Sequence, residues 1–175
     1  FSPKSPESWK KNPSEWLSNI DIMRVMSQYE RSYKCFEFIG PSPIDYDSHY
    51  LNGVCVWEEL CEFNLQEKID DKKTKIGIIF NLDKHTEPGS HWVALFVHIP
   101  RKEIYYFDSN ADEVPKQIKK LIKNITKQGE NLGIKFTERI NTKRHQYQDS
   151  ECGMYSMYFI IQMLKGKTFD YFLQN

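Results

Sequence analysis

The sequence predicts an α+β domain in which a mixed β-sheet is packed between helices. Three stretches carry that expectation. Lys75–Asn81 (KIGIIFN) is a short apolar run rich in β-branched residues, as a buried strand requires. His91–Ile99 and Glu103–Asp108 flank Pro100-Arg101-Lys102 and pair as a hairpin. Cys152–Leu164 is apolar nearly all round at helical length, so it reads as a central helix. Strands and helices are intermixed, which fits helices laid on both faces of one sheet.

The elements follow in order. Residues 1–14 are rich in Pro, Ser and Lys and read as an exposed lead-in to a single domain over 15–175. Ser14 and Glu15 suggest a capped turn around Trp16-Leu17. Between 20 and 33 the residues Ile22, Val25, Met26, Tyr29 and Tyr33 recur at helical spacing. Phe38-Ile39-Gly40-Pro41-Ser42-Pro43 breaks any helix and is expected to open a loop running to Tyr50. Trp57–Lys68 is weakly helical, and LDKHTEPGS after Asn81 is a loop. Over 114–128, Val114, Ile118, Leu121, Ile122 and Ile125 form one face of a helix and lysines the other. Gly129 and Gly133 bracket a turn, and 134–140 alternates as a further strand.

Composition bounds the function. Lys plus Arg balances Asp plus Glu at 24 each, so no global field recruits nucleic acid or an anionic membrane. No apolar run approaches the ~18 residues of a membrane span, and no signal peptide is expected at the start. Cys35, Cys55, Cys61 and Cys152 make no C-x-x-C pair. Zinc sites announce themselves by tight Cys/His pairs, so no metal is expected. Cys35, Cys55 and Cys61 sit among apolar neighbours and read as separate buried thiols in a reducing compartment.

The fourth cysteine differs. Cys152 follows a polar stretch and opens the apolar helix, where unpaired N–H groups and the helix dipole favour thiolate. Cysteines so placed have pKa values lowered to about 3.5–7.5. Gly153 lacks a Cβ, so a substrate carbonyl can approach the backbone there. His91 starts a strand, and Asp108 ends the adjoining one, so the hairpin sets a carboxylate beside an imidazole. Gln146, six residues before Cys152, supplies an amide that can donate to an oxyanion alongside the Cys152 N–H. Each residue alone has an ordinary structural reading. Together they supply nucleophile, base, orienting acid and oxyanion donor, the parts of a thiol acyl-transfer site. His145 is expected to face solvent, and His49, His85 and His98 lack a carboxylate at matched distance.

His-Trp opening a strand, Asp seventeen residues on, Gln six before Cys, and Cys-Gly opening a helix resemble the ubiquitin-like-protein proteases, which include the SUMO and adenovirus proteases. HWVALFV, RHQYQDSECGMYS and FIGPSPIDYD are most similar to the polyprotein proteases of large DNA viruses, of the African swine fever virus and giant-virus type. The resemblance implies a papain-like cysteine peptidase core with the nucleophile at the N-terminus of a central helix. It implies cleavage after Gly-Gly in a viral polyprotein, or removal of ubiquitin or SUMO-like modifiers. Trp16 and Trp92 are then the two rings of a slot over the glycines, and Ser18 replaces the family's usual Asn. No cofactor is implied. A monomer acting on a protein substrate in the host cytoplasm or the virion is expected. An acyltransferase of the same clan and a non-catalytic binding module for ubiquitin-like proteins are the competing readings.

Overall fold

In the computed structural model, residues 17–145 and 151–175 are described. The order is α1 (Asn19–Ser32), β1 (Phe36–Pro43), α2 (Glu58–Cys61), α3 (Leu65–Asp70), β2 (Lys75–Asn81), β3 (Trp92–His98), β4 (Glu103–Phe107), α4 (Lys116–Asn131), β5 (Thr137–Ile140), α5 (Cys152–Leu164) and α6 (Phe169–Gln174). The five strands lie in sequence order, with β2–β3 and β3–β4 antiparallel and the outer pairs β1–β2 and β4–β5 parallel. The sheet is mixed and lies between two helical layers, as the sequence predicts.

The alternation of side chains along β3 divides the core. Trp92, Ala94 and Phe96 pack with α1, α5 and α6, while Val93, Leu95 and Val97 pack with Leu60, Leu65 and the apolar stripe of α4. Every β3 residue is buried, as expected of a central strand covered on both faces. Gly77 of β2 lets α5 pack close against the sheet: a Cβ there would lie 2.9 Å from Ile160 of α5 and 3.0 Å from Phe36. Helix α1 begins with Ser18 as N-cap, whose side chain accepts from the Asp21 N–H while the Asp21 carboxylate accepts from Ser18 N–H. Ser and Asn are equivalent caps, so the departure at Ser18 keeps the helix start intact.

Four expectations need correction. The stretch read as a loop opener is strand β1. Its prolines are tolerated because β1 is an edge strand whose register shifts between Ile39 and Ser42. Gly40 sits at φ 122°, and a Cβ there would lie 2.6 Å from the Ile79 carbonyl oxygen. Second, Cys55 and Cys61 are joined by a disulfide, while Cys35 and Cys152 lie outside it. A turn after residue 48 and the short helix α2 bring the two Cα atoms to 6.4 Å, within disulfide reach. The argument for a reducing compartment from separate thiols therefore falls. Third, His145 is half-buried against the rings of Phe107 and Phe172, at 5.4 and 6.0 Å between centroids. Fourth, His85 does have a carboxylate partner: its Nδ1 lies 2.6 Å from Asp45 Oδ2. The lead-in over 1–14 and the turn at Trp16 lie outside the described residues.

Candidate active site

Ala94 pairs with Phe107, so one step outward the register sets Val93 against Asp108. His91 is two residues beyond Val93 and shares its parity, a diagonal neighbour within reach of a long side chain. His91 Nε2 lies 2.6 Å from Asp108 Oδ1. The Nε2–H donates to the carboxylate, which leaves Nδ1 for a second partner. That partner is Cys152, with which the His91 ring makes a side-chain hydrogen bond. Helix α5 approaches from the opposite face of the sheet, and the three residues meet over the sheet's end.

Burial sets the electrostatics. Asp108 is 1% exposed, and the His91 side chain is 13% exposed. Burial pulls the His91 pKa down, but the hydrogen bonds to Asp108 and Cys152 and their charges outweigh it, pushing it up to about 9. An imidazolium is therefore stable at neutral pH between a carboxylate and a sulfur. Cys152 itself is fully covered and belongs to one apolar cluster with Leu17 and Trp92. A Cβ on Gly153 would lie 3.0 Å from Leu17 Cδ1 and 3.4 Å from Trp92 Cδ1. Gly153 thus keeps the wall beside the nucleophile thin. Of the seven sequence-derived site residues, His91, Asp108 and Cys152 form one hydrogen-bonded row, and Trp92 and Gly153 stand beside it. Trp16 and Gln146 lie outside the described residues.

One residue of the site escaped sequence reasoning. Asn141, 2% exposed just past β5, accepts from the Asp108 N–H at 2.9 Å and donates Nδ2 to the Asp108 carbonyl at 2.6 Å. It closes both backbone groups of Asp108, as a paired strand would. The Asp108 carboxylate meanwhile accepts from the N–H groups of Asn110 and Asp112, at 2.9 and 3.2 Å. Nothing in TERIN marks that asparagine, because the contact spans 33 residues. Asn141→Leu leaves the buried Asp108 N–H unpaired, at a cost of about 1–3 kcal/mol, while the Asp108 carbonyl keeps the Ala111 N–H at 2.9 Å. Activity is expected to fall by about tenfold or more through a misplaced Asp108. Asn141→Asp restores the acceptor toward the Asp108 N–H but not the donor, so an intermediate rate is expected; equal rates in all three proteins would remove the positioning role.

A cleft of about 240 Å³ lies beyond the end of β2, and none of His91, Asp108 and Cys152 lines it. Its lining includes Asn19, Pro41, Tyr50, Trp57, Asn81 and His85. It begins where Asn81 pairs with Trp92 and the Leu82 N–H donates to the His91 carbonyl.

The profile of the Ulp1 protease family, C-terminal catalytic domain, matches residues 7–174. The chain belongs to that family. It is 40% identical over 167 residues to R355 of Acanthamoeba polyphaga mimivirus, provisionally named a thiol protease, covering 93% of this chain and 52% of that protein. The crystal structure of the African swine fever virus pS273R protease aligns over 100% of this chain and 66% of its own, with TM-score 0.75 and 22% identity. The Ulp1 protease domain in complex with Smt3, the yeast ortholog of SUMO, aligns over 91% of this chain and 70% of its own, with TM-score 0.61 and 19% identity. At those identities the two structures establish the fold alone. The chain spans about half the length of its mimivirus relative. Membership makes this a cysteine-peptidase domain, with viral thiol proteases among its relatives. Among the described residues no helix is long and apolar enough to cross a membrane.

Proposed function

We propose that this domain cleaves peptide bonds after Gly-Gly, with Cys152 as nucleophile. The observation that carries the reading is the His91 ring, bonded at Nε2 to Asp108 and at its other edge to Cys152. His91 holds the pair as thiolate and imidazolium, and the thiolate attacks the carbonyl of the second glycine. The Cys152 N–H and the Gln146 amide receive the oxyanion; removing one such donor raises the barrier by about 2.7–4 kcal/mol. His91 then passes its proton to the leaving amine, and the thioester is hydrolysed by water that His91 activates. Asp108 fixes the ring tautomer throughout. Trp92 over Gly153, with Trp16, forms a slot that admits glycine backbone and rejects any Cβ.

The substrate we favour is a viral polyprotein with Gly-Gly-X junctions, cut in the host cytoplasm or the virion by a monomer without nucleic acid or membrane. The relatives that support it are viral proteases. Removal of a SUMO-like modifier is the second reading, favoured by the likeness to a Ulp1 domain seen in complex with Smt3. Two assays in parallel separate them: cleavage of Gly-Gly-X peptides, and intact-mass capture of ubiquitin and SUMO probes ending in a thiol-reactive group. Peptide cleavage after the second glycine without probe capture is expected. An adduct on Cys152 with one probe would transfer the assignment to that modifier. The absence of both cleavage and adduct, from protein shown to be folded, would overturn the peptidase reading.

A further inference from the structure

The hairpin on residues 48–56 gathers three soft ligands that the active site does not use. Its two limbs are closed by Tyr50 N–H to the Val54 carbonyl and Val56 N–H to the Ser48 carbonyl, both within 2.9 Å. Between those bonds His49 and Cys55 stand directly opposite each other in an antiparallel bridge. Cys55 Sγ lies 3.3 Å from His49 Nε2. Trp57 N–H donates to the Tyr46 carbonyl and turns the chain into α2, whose last residue is Cys61. The donor atoms of His49, Cys55 and Cys61 all lie within 4.8 Å of one another. Among the described residues this is the only group of three or more His, Cys, Asp or Glu side chains so close together.

We propose that His49, Cys55 and Cys61 bind one zinc-type divalent cation in the reduced protein, the same two sulfurs closing as the disulfide when oxidised. A tetrahedral ion with Zn–S of ~2.3 Å and Zn–N of ~2.0–2.1 Å sets a sulfur and a nitrogen about 3.5 Å apart. The observed His49–Cys55 separation is already near that value. Two thiolates and one imidazole also form a soft donor set, matching zinc rather than magnesium or calcium. His49 is exposed and Cys61 half-buried, so an ion has a path in. Three protein ligands leave the fourth position to water, the arrangement of an exchangeable rather than a closed site.

The two states interconvert with full balance. An external dithiol reduces the Cys55–Cys61 bond by exchange: its two sulfurs become a disulfide, and Cys55 and Cys61 each leave as a thiol. The cation then takes both sulfurs as thiolates and two protons are released. A sequence scan misses this site because the ligands are spaced H-x5-C-x5-C. No knuckle joins them; a hairpin faces two across its limbs and a helical turn returns the third. Tyr50 and Val56, next to His49 and Cys55, line the cleft bordered by Asn81 and His85, so either staple holds one wall of that cleft.

The test uses the chain carrying Cys152→Ala, which removes the other thiol–imidazole pair that could hold a metal. Reduced protein is titrated with Co2+ and then with Zn2+. One equivalent of Co2+ is expected to give the thiolate charge-transfer band and the strong visible bands of a tetrahedral ion, both abolished by Zn2+. Zinc should also protect Cys55 and Cys61, but not Cys35, from alkylation. His49→Ala, at an exposed position that leaves the fold intact, is expected to weaken binding by about tenfold or more, and Cys55→Ser by about 100-fold. The oxidised chain should bind none. A reduced, folded chain in which Cys55 and Cys61 are both alkylatable and which gives no cobalt spectrum would overturn the proposal. So would a spectrum that His49→Ala and Cys55→Ser leave unchanged.

Discussion

Cys152→Ala is expected to abolish turnover, with a loss on the order of 10⁶ in kcat, while the fold is retained. A nucleophile acts in series with its base, so removing it alone costs about as much as removing the whole catalytic row. The replaced side chain is buried at the first turn of α5, where Ala is a good helix former. The loss of one sulfur leaves a small gap among Leu17, Trp92 and the start of α5, so stability should fall by no more than about 1–2 kcal/mol. The check is a thermal melt beside the activity assay. A melting temperature near that of the parent together with no cleavage assigns the effect to chemistry. Substantial residual cleavage in a folded variant would show that the attack comes from elsewhere and remove Cys152 from the role.

The parts of this site legible in the sequence are those whose signal is local. The hairpin β3–β4 announces itself through two apolar runs around Pro100-Arg101-Lys102, and its register follows from that turn. Once the register is fixed, His91 and Asp108 must meet, which is why their separation of seventeen residues could be read as a contact. Helix α5 was legible for the same reason, since Cys152–Leu164 is apolar nearly all round, although Met154 and Tyr158 face outward. What escaped depends on distant partners. Strand β1 looks like a loop because Gly40, Pro41 and Pro43 oppose a strand locally; parallel pairing with β2 outweighs them at the sheet edge. Asn141 is one polar residue among several until it is seen bonded to the Asp108 backbone. Cys55, Cys61 and His49 looked independent because nothing short-range announces the hairpin that unites them. His85 was set aside for want of a carboxylate, which Asp45 supplies from 40 residues away.

Asp108→Asn tests the coupling between geometry and proton affinity. The carboxylate holds the His91 Nε2–H, so Nδ1 is left facing Cys152. An asparagine can offer either its oxygen or its NH2 to the ring, and the NH2 favours the opposite tautomer. In a serine hydrolase the equivalent change lowers kcat by about 10⁴ through that wrong tautomer. A loss of about 10²–10⁴ is expected here, because a thiolate needs less help from its base than an alcohol does. The pH profile separates this from a folding defect. In the parent, His91 carries its proton up to about pH 9, so kcat/KM should hold through neutrality and fall as pH rises through that value. The linkage to stability has the same sign. The folded pKa lies above the ordinary 6.5, so its contribution is complete below about 6.5 and is lost as pH rises through about 9. Asp108→Asn removes a hydrogen bond and a negative charge that raise the His91 pKa, leaving burial to act against Cys152 alone. The alkaline limb should therefore move to lower pH as the rate falls. A variant with reduced rate and an unmoved alkaline limb would mean that Asp108 positions the loop after β4 and does not set the protonation of His91.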